Sequence, residues 1–154
     1  MPSFKGQYEH SVDNKGRVAF PAKLRKTVNP DAQDRFTILR GLEPCLYLYP
    51  QDRWELVEKK LAKINNFSRN GRTVIRNFLR FAEDLVLDKQ NRLSLPSHLM
   101  EFSNIHTTAI FIGSGERIEI WSPDRLDEID NELSFESYQE LFEQVMGGDI
   151  DDEE

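Results

Sequence analysis

The chain has 154 residues, 38% of them hydrophobic and 31% charged, and a formal net charge of −7. Its length suits one ordinary domain or two small ones sharing a core, and no apolar run approaches the roughly 18 residues of a membrane helix. Residues 1–6 lack the apolar stretch of a secretory signal and Cys45 is the single cysteine, so a cytoplasmic protein without an intrachain disulfide is expected.

In chain order, residues 12–20 are apolar on both sides of the polar Asn14-Lys15-Gly16, a hairpin pattern. Pro21 ends it, because proline donates nothing to a continuing ladder. Residues 36–39 and 45–49 form a second strand pair astride Gly41, and the apolar neighbours of Cys45 mark it as a packed, inert thiol. Helices are predicted over 52–65, with Trp54, Val57, Leu61 and Ile64 at helical spacing, and over 71–82, with Ile75, Phe78, Leu79 and Ala82 on one face. Residues 87–95 return to the hairpin pattern with Asn91 in the turn, where a positive φ suits asparagine, and Pro96 ends it. Another strand pair, 108–112 with 118–121, straddles Gly113-Ser114-Gly115. Helical patterns over 124–129 and 135–146 follow, the last closed by Gly147-Gly148.

This order is a duplication. Asp13, Arg17, Pro21 and Leu24 match Asp88, Arg92, Pro96 and Leu99 at a spacing of 75 residues, and Val18 and Phe20 match Leu93 and Leu95. Residues 46–54 resemble 118–126 at a spacing of 72, a shift that one three-residue indel explains. The division expected is a first unit over 7–54, a helical connector over 55–82, a second unit over 83–126, and a C-terminal helix with acidic tail over 127–154. Four or so short strands cannot bury both sheet faces alone, so the two units are expected to share one α+β body, a composite barrel or sandwich with pseudo-twofold symmetry.

Charge is divided unevenly along this plan. Residues 116–154 hold 15 acidic residues against two basic ones, which leaves 18 basic and 12 acidic residues before them, a net +6. A basic body with an acidic tail points to a polyanion partner, while 149–154 also reads as a solubilising end.

The candidate chemistry lies at the first turn. Asp13 and Arg17 flank it and can pair across it, Asn14 and Lys15 project from it, and Lys5, Lys23, Arg25 and Lys26 add cationic surface around it. Lysines would meet phosphates, and a positioned arginine on a two-stranded ribbon can read guanine O6 and N7 in the major groove. The same Asp-x-x-x-Arg pattern is also a plain turn-stabilising ion pair, worth at most about 1 kcal/mol when exposed. The second turn offers Lys89 and Arg92, with only Ser97, His98 and Glu101 downstream. The main nucleic-acid surface is therefore expected in the first half, with Arg92 chiefly structural. Arg69, Arg72, Arg76 and Arg80 recur at spacings of three and four on the connector helix, as a solvated face, a DNA contact or a partner for a neighbouring subunit's carboxylates. His10, His98 and His106 share no metal-binding or nucleophile-activating spacing with Cys45, and no phosphate-binding glycine loop occurs. No catalytic site, cofactor or metal is expected.

The doubled motif, Asp13-x-x-x-Arg17 with an apolar pair and Pro21 and its near-copy over 88–96, resembles the MraZ family, as does Leu46-Tyr47-Leu48-Tyr49-Pro50 running into Trp54-Glu55. The likeness spans about residues 4 to 145. It implies two SpoVT-AbrB-like domains in a swapped-hairpin β-barrel, a ring-shaped homo-oligomer and a nucleoid-associated regulator. Its partner would be double-stranded DNA, at short direct repeats before the division and cell-wall gene cluster. It also tips the turn arginine towards DNA contact. The competing reading is an oligomeric adaptor on the same barrel that uses the arginine helix and acidic tail for protein contacts.

Overall fold

The computed structural model describes residues 3–152, with side-chain environments through residue 147. The first half runs β1 (Gln7–Ser11), β2 (Arg17–Ala19), α1 (Ala22–Thr27), a 3-10 turn (Pro30–Ala32), β3 (Arg35–Arg40), β4 (Leu46–Pro50) and α2 (Gln51–Leu61). After α3 (Arg69–Leu79) the second half repeats the order as β5 (Glu83–Val86), β6 (Arg92–Ser94), α4 (Ser97–Ser103), β7 (Thr108–Gly113), β8 (Ile118–Trp121) and α5 (Pro123–Asn131). The helix α6 (Phe135–Asp152) follows.

The strands form a six-stranded antiparallel sheet, β1-β7-β8-β4-β3-β5, and a two-stranded ribbon, β2-β6. Repeat-equivalent strands occupy equivalent places from either edge of the sheet, so a pseudo-twofold axis passes between β4 and β8 and through the ribbon. Only β3–β4 and β7–β8 pair within a half; β1–β7, β3–β5, β4–β8 and β2–β6 all join the two. The hairpin read at 12–20 therefore reduces to a tight turn closed by one bridge, Val12 to Val18, whose arms leave for the opposite half. An isolated two-stranded hairpin is marginal in water, and exchange places both arms on a shared core.

Alternation along the central strands fills two cores. Phe36, Ile38, Leu46, Leu48, Phe111, Ile118 and Ile120 face the ribbon side, where Val18, Phe20, Leu93, Leu95 and the helix residues Leu24 and Leu99 meet them. Phe20 links the layers, its ring centroid 5.2 Å from Phe36 and 6.1 Å from Phe111; aromatic pairs of this kind add roughly 0.5–1.5 kcal/mol beyond their buried area. The alternate residues Leu39, Tyr47, Tyr49, Ile110 and Trp121 pack against Trp54, Val57, Phe78, Leu126 and Ile129 of the helices on the other face. With both faces covered, β4 is buried at every position.

Several boundaries differ from the sequence reading. α1 and α4 follow Pro21 and Pro96 directly, and each is held by one fully buried leucine, too short a pattern for helical periodicity to register. α3 begins at Arg69, two residues before the predicted start, because Ser68 is its N-cap and its hydroxyl accepts from Gly71 N at 3.0 Å. α2 ends at Leu61, ahead of the expected 65. α6 continues through Gly147-Gly148 to Asp152; Gly147 is not among the positive-φ glycines, so it forms no left-handed cap.

Candidate nucleic-acid interface

Each turn is built around its aspartate. Asp13 Oδ1 accepts from the backbone N–H of Lys15 and of Arg17, both at 2.9 Å, and Asp13 Oδ2 accepts from Arg17 Nε at 2.8 Å. Asp88 repeats the pattern with the N–H groups of Gln90 at 2.8 Å and Arg92 at 2.9 Å, and with Arg92 Nε at 2.9 Å. The chain reverses at Gly16 (φ 79°) and Asn91 (φ 59°), the left-handed position that glycine and asparagine tolerate. Hydrogen bonding to the charged form, chiefly from the Arg17 and Arg92 backbone N–H groups, holds both aspartates below the ordinary 3.8. Both carboxylates are therefore charged at neutral pH and fix their arginines by one edge. The terminal guanidinium nitrogens of Arg17 and Arg92 have no hydrogen-bond partner among the described residues, and both side chains remain about one-third exposed (33% and 30%).

The ribbon brings these arginines together. Val18 pairs with Leu93 and both point into the core, so the flanking pairs, Arg17 with Ser94 and Ala19 with Arg92, share the opposite face. Arg17 and Arg92 are diagonal neighbours there, roughly 7–8 Å apart by strand geometry. Each turn also docks on the other half: Leu95 N donates to Gly16 O and Phe20 N to Asn91 O, both at 2.9 Å.

The exchange redistributes the remaining cations. Arg25 of α1 donates to Asn91 Oδ1 at 2.8 Å, so the first-half helix, with exposed Lys23 and Lys26, stands beside the second-half turn and Lys89. Lys15 and Asn14 lie at the opposite end of the ribbon, in a hollow shared with Ser97, Met100, His106 and Thr107 of the second half. The cations of the two halves thus mix at the ribbon's ends: Lys23, Arg25, Lys26, Lys89 and Arg92 stand at one end, Lys15 and Arg17 at the other. Lys5 stands apart from both. Its neighbour Phe4 is hydrogen-bonded to Gly115, and the extended chain from Lys5 to Val12 covers roughly 23 Å at about 3.3 Å per residue. No periodicity within a half could have revealed the Arg25–Asn91 contact, because it depends on which half each strand joins.

Cys45 is fully buried, and desolvation together with the charges of Glu119 and Glu43 pushes its thiol far above the ordinary range. No cluster of three or more potential metal ligands occurs among the described residues, and no helix among them is long and apolar enough to cross a membrane.

Comparison with known proteins agrees with the duplicated architecture. The family described as MraZ protein matches this chain twice, over residues 3–77 and 78–147. A protein named transcriptional regulator MraZ from Syntrophomonas wolfei is 40% identical over 143 residues, covering 93% of this chain and 96% of that protein. Its namesake in Halothermothrix orenii is 39% identical over 142 residues, 90% and 93% of the two chains. The one from Natranaerobius thermophilus is 35% identical over 147 residues, 96% and 99%. With the family matched in both halves and relatives aligned nearly end to end, the chain belongs to the MraZ family.

Proposed function

We propose that the protein is a transcriptional regulator that binds double-stranded DNA sequence-specifically through the outer face of the β2–β6 ribbon. The observation that carries this reading is the pair of part-exposed arginines, each clamped through Nε to its turn aspartate with no partner for its terminal nitrogens among the described residues, diagonal to each other on one ribbon face. A two-stranded ribbon fits the roughly 12 Å major groove, and a pre-aimed guanidinium can engage guanine O6 and N7 or bridge phosphates. Lys15, Asn14, Lys23, Arg25 and Lys89 supply backbone contacts at the two ends; Lys5 serves only a duplex long enough to pass the sheet edge. Within this reading, 7–54 and 83–126 act as two SpoVT-AbrB-like domains of one binding unit. Several chains in a ring would place ribbons on successive direct repeats before the division and cell-wall genes, so individually weak sites gain from multivalency.

The test is fluorescence anisotropy on the chain's own upstream region against a scrambled duplex of equal length. The wild type should prefer the native duplex at physiological salt, with affinity falling steeply as salt rises. Arg17→Ala should abolish that preference without changing oligomer size. Equal affinity of the wild type for both duplexes would favour the adaptor reading, for which the basic face of α3 is the motivating feature.

A further inference from the structure

Among the described side chains of α6, through Gly147, none joins either core. Phe135, Tyr138, Leu141, Phe142, Val145 and Met146 follow one another at helical spacing and are 40–75% exposed. At 100° per residue they fall within one arc, with Glu136, Glu140 and Glu143 on the opposite side, so α6 carries a continuous apolar stripe with no partner among the described residues. A stripe of this size on a water-soluble surface marks an interaction site.

A second apolar surface on the same chain is concave. Between α3 and the β3–β4 turn lies an open groove of about 400 Å³ lined by Leu42, Val74, Phe78, Phe81 and Phe102. Leu42 and Val74 at its mouth are 85% and 55% exposed. The Arg40 guanidinium lies 3.6 Å from the Phe81 ring centroid and 4.5 Å from that of Phe102, its Nε buried without a hydrogen-bond partner, and Arg80 approaches Phe81 from outside at 4.8 Å. The groove is thus largely apolar, with the Arg40 guanidinium stacked in its wall and Arg80 beside it.

Charge separates the two surfaces just as sharply. Residues 59–82, which include α3, carry seven basic side chains and no acidic one; residues 127–154, which include α6, carry twelve acidic side chains and no basic one. Blocks of opposite sign steer two surfaces together and oppose pairing of either block with itself. We propose that α6 of one copy of this chain docks, apolar stripe inward, into the groove between α3 and the β3–β4 turn of a second copy, with the Glu136, Glu140 and Glu143 face opposite the arginines of α3. An amphipathic helix in an apolar groove is a familiar recognition mode, and a contact between two different surfaces continues from copy to copy until it closes. This deepens the assembly proposed above and rests on that reading only for the existence of an oligomer.

Two full-length variants test it by light scattering coupled to gel filtration, without DNA, so that the result stands whether or not the ribbon binds a duplex. Val74→Glu places an acid in the groove and leaves the helix intact. The double variant Leu141→Glu/Phe142→Glu spoils the helix and leaves the groove intact. The wild type should run as a dimer or larger, and each variant alone as a monomer. The two mixed should form a one-to-one heterodimer and nothing larger. A monomeric wild type, wild-type assembly by either variant alone, or a mixture that stays monomeric overturns the proposal; retained assembly of Val74→Glu would point to pairing of α6 with α6. Because charge insertion can disturb folding, a second measurement uses no disruptive change. Val74→Cys and Phe142→Cys chains, mixed and mildly oxidised, should cross-link to each other in preference to themselves, and cross-linking of each only to itself refutes the contact.

Discussion

Arg92→Ala should weaken promoter binding as much as Arg17→Ala does. From the sequence alone Arg92 sits in a charge-poor half; in the folded ribbon it repeats Arg17 in anchoring distance, exposure and facing direction. Each guanidinium has its Nε committed to an aspartate and its terminal nitrogens available for one bidentate base contact or a pair of phosphate contacts. Such a contact is worth about 1–3 kcal/mol, so each substitution should lower affinity for a single-site duplex by roughly 5- to 150-fold. If the contact is to phosphate, the salt dependence should also flatten by about one charge per arginine lost. At roughly 7–8 Å the two side chains stand at the short limit of independence, so the double variant should lose close to the sum, with a coupling of up to a few tenths of a kcal/mol. The assay is anisotropy on a labelled duplex carrying one repeat, at four or so salt concentrations, with circular dichroism confirming unchanged folding. Wild-type binding by Arg92→Ala, beside a loss of more than about five-fold in Arg17→Ala, would show that the two arginines do not share a DNA-facing surface.

Other consequences can be checked separately. Folding lowers the carboxyl pKa values of Asp13 and Asp88, so their contribution is complete above the ordinary 3.8 and disappears as pH falls through the lowered native values; carboxyl ¹³C shifts should stay flat from pH 7 to about 5 and titrate only below 3.8. Titration of either group near pH 5 would refute the turn geometry. Leu93→Ala opens a cavity where the ribbon meets the sheet, at a fully buried position, and should cost about 2–5 kcal/mol, or roughly 4–20 °C in Tm. The melt should remain a single transition, since four of the six strand pairings join the halves; two separated transitions would contradict the exchanged architecture. Cys45 should resist thiol-labelling reagents at neutral pH in the native protein and react on denaturation; rapid native labelling would show that the second core is open.

Much of this molecule is written in local pattern. The repeated Asp-x-x-x-Arg turns, the left-handed residue at Gly16 and Asn91, the strand ends at Pro21 and Pro96 and the central strands with alternating faces all follow from φ/ψ preference and a two-residue period, which act over a handful of neighbours. So does the family likeness, because it rests on those same motifs. Which strand each strand joins is a different kind of quantity. A period of two tells a side chain which face to take and says nothing of its partner, and β1 reaches β7, or β2 reaches β6, only because joint burial of Val18, Leu93, Phe36 and Phe111 outweighs the loop entropy of a long-range pairing. That choice carries Arg25 to Asn91, sets Arg17 beside Arg92 and leaves Lys5 far from both turns. It also admits the short helices α1 and α4, whose Leu24 and Leu99, with Met100 and Phe102 of α4 beside them, find a core built by both halves.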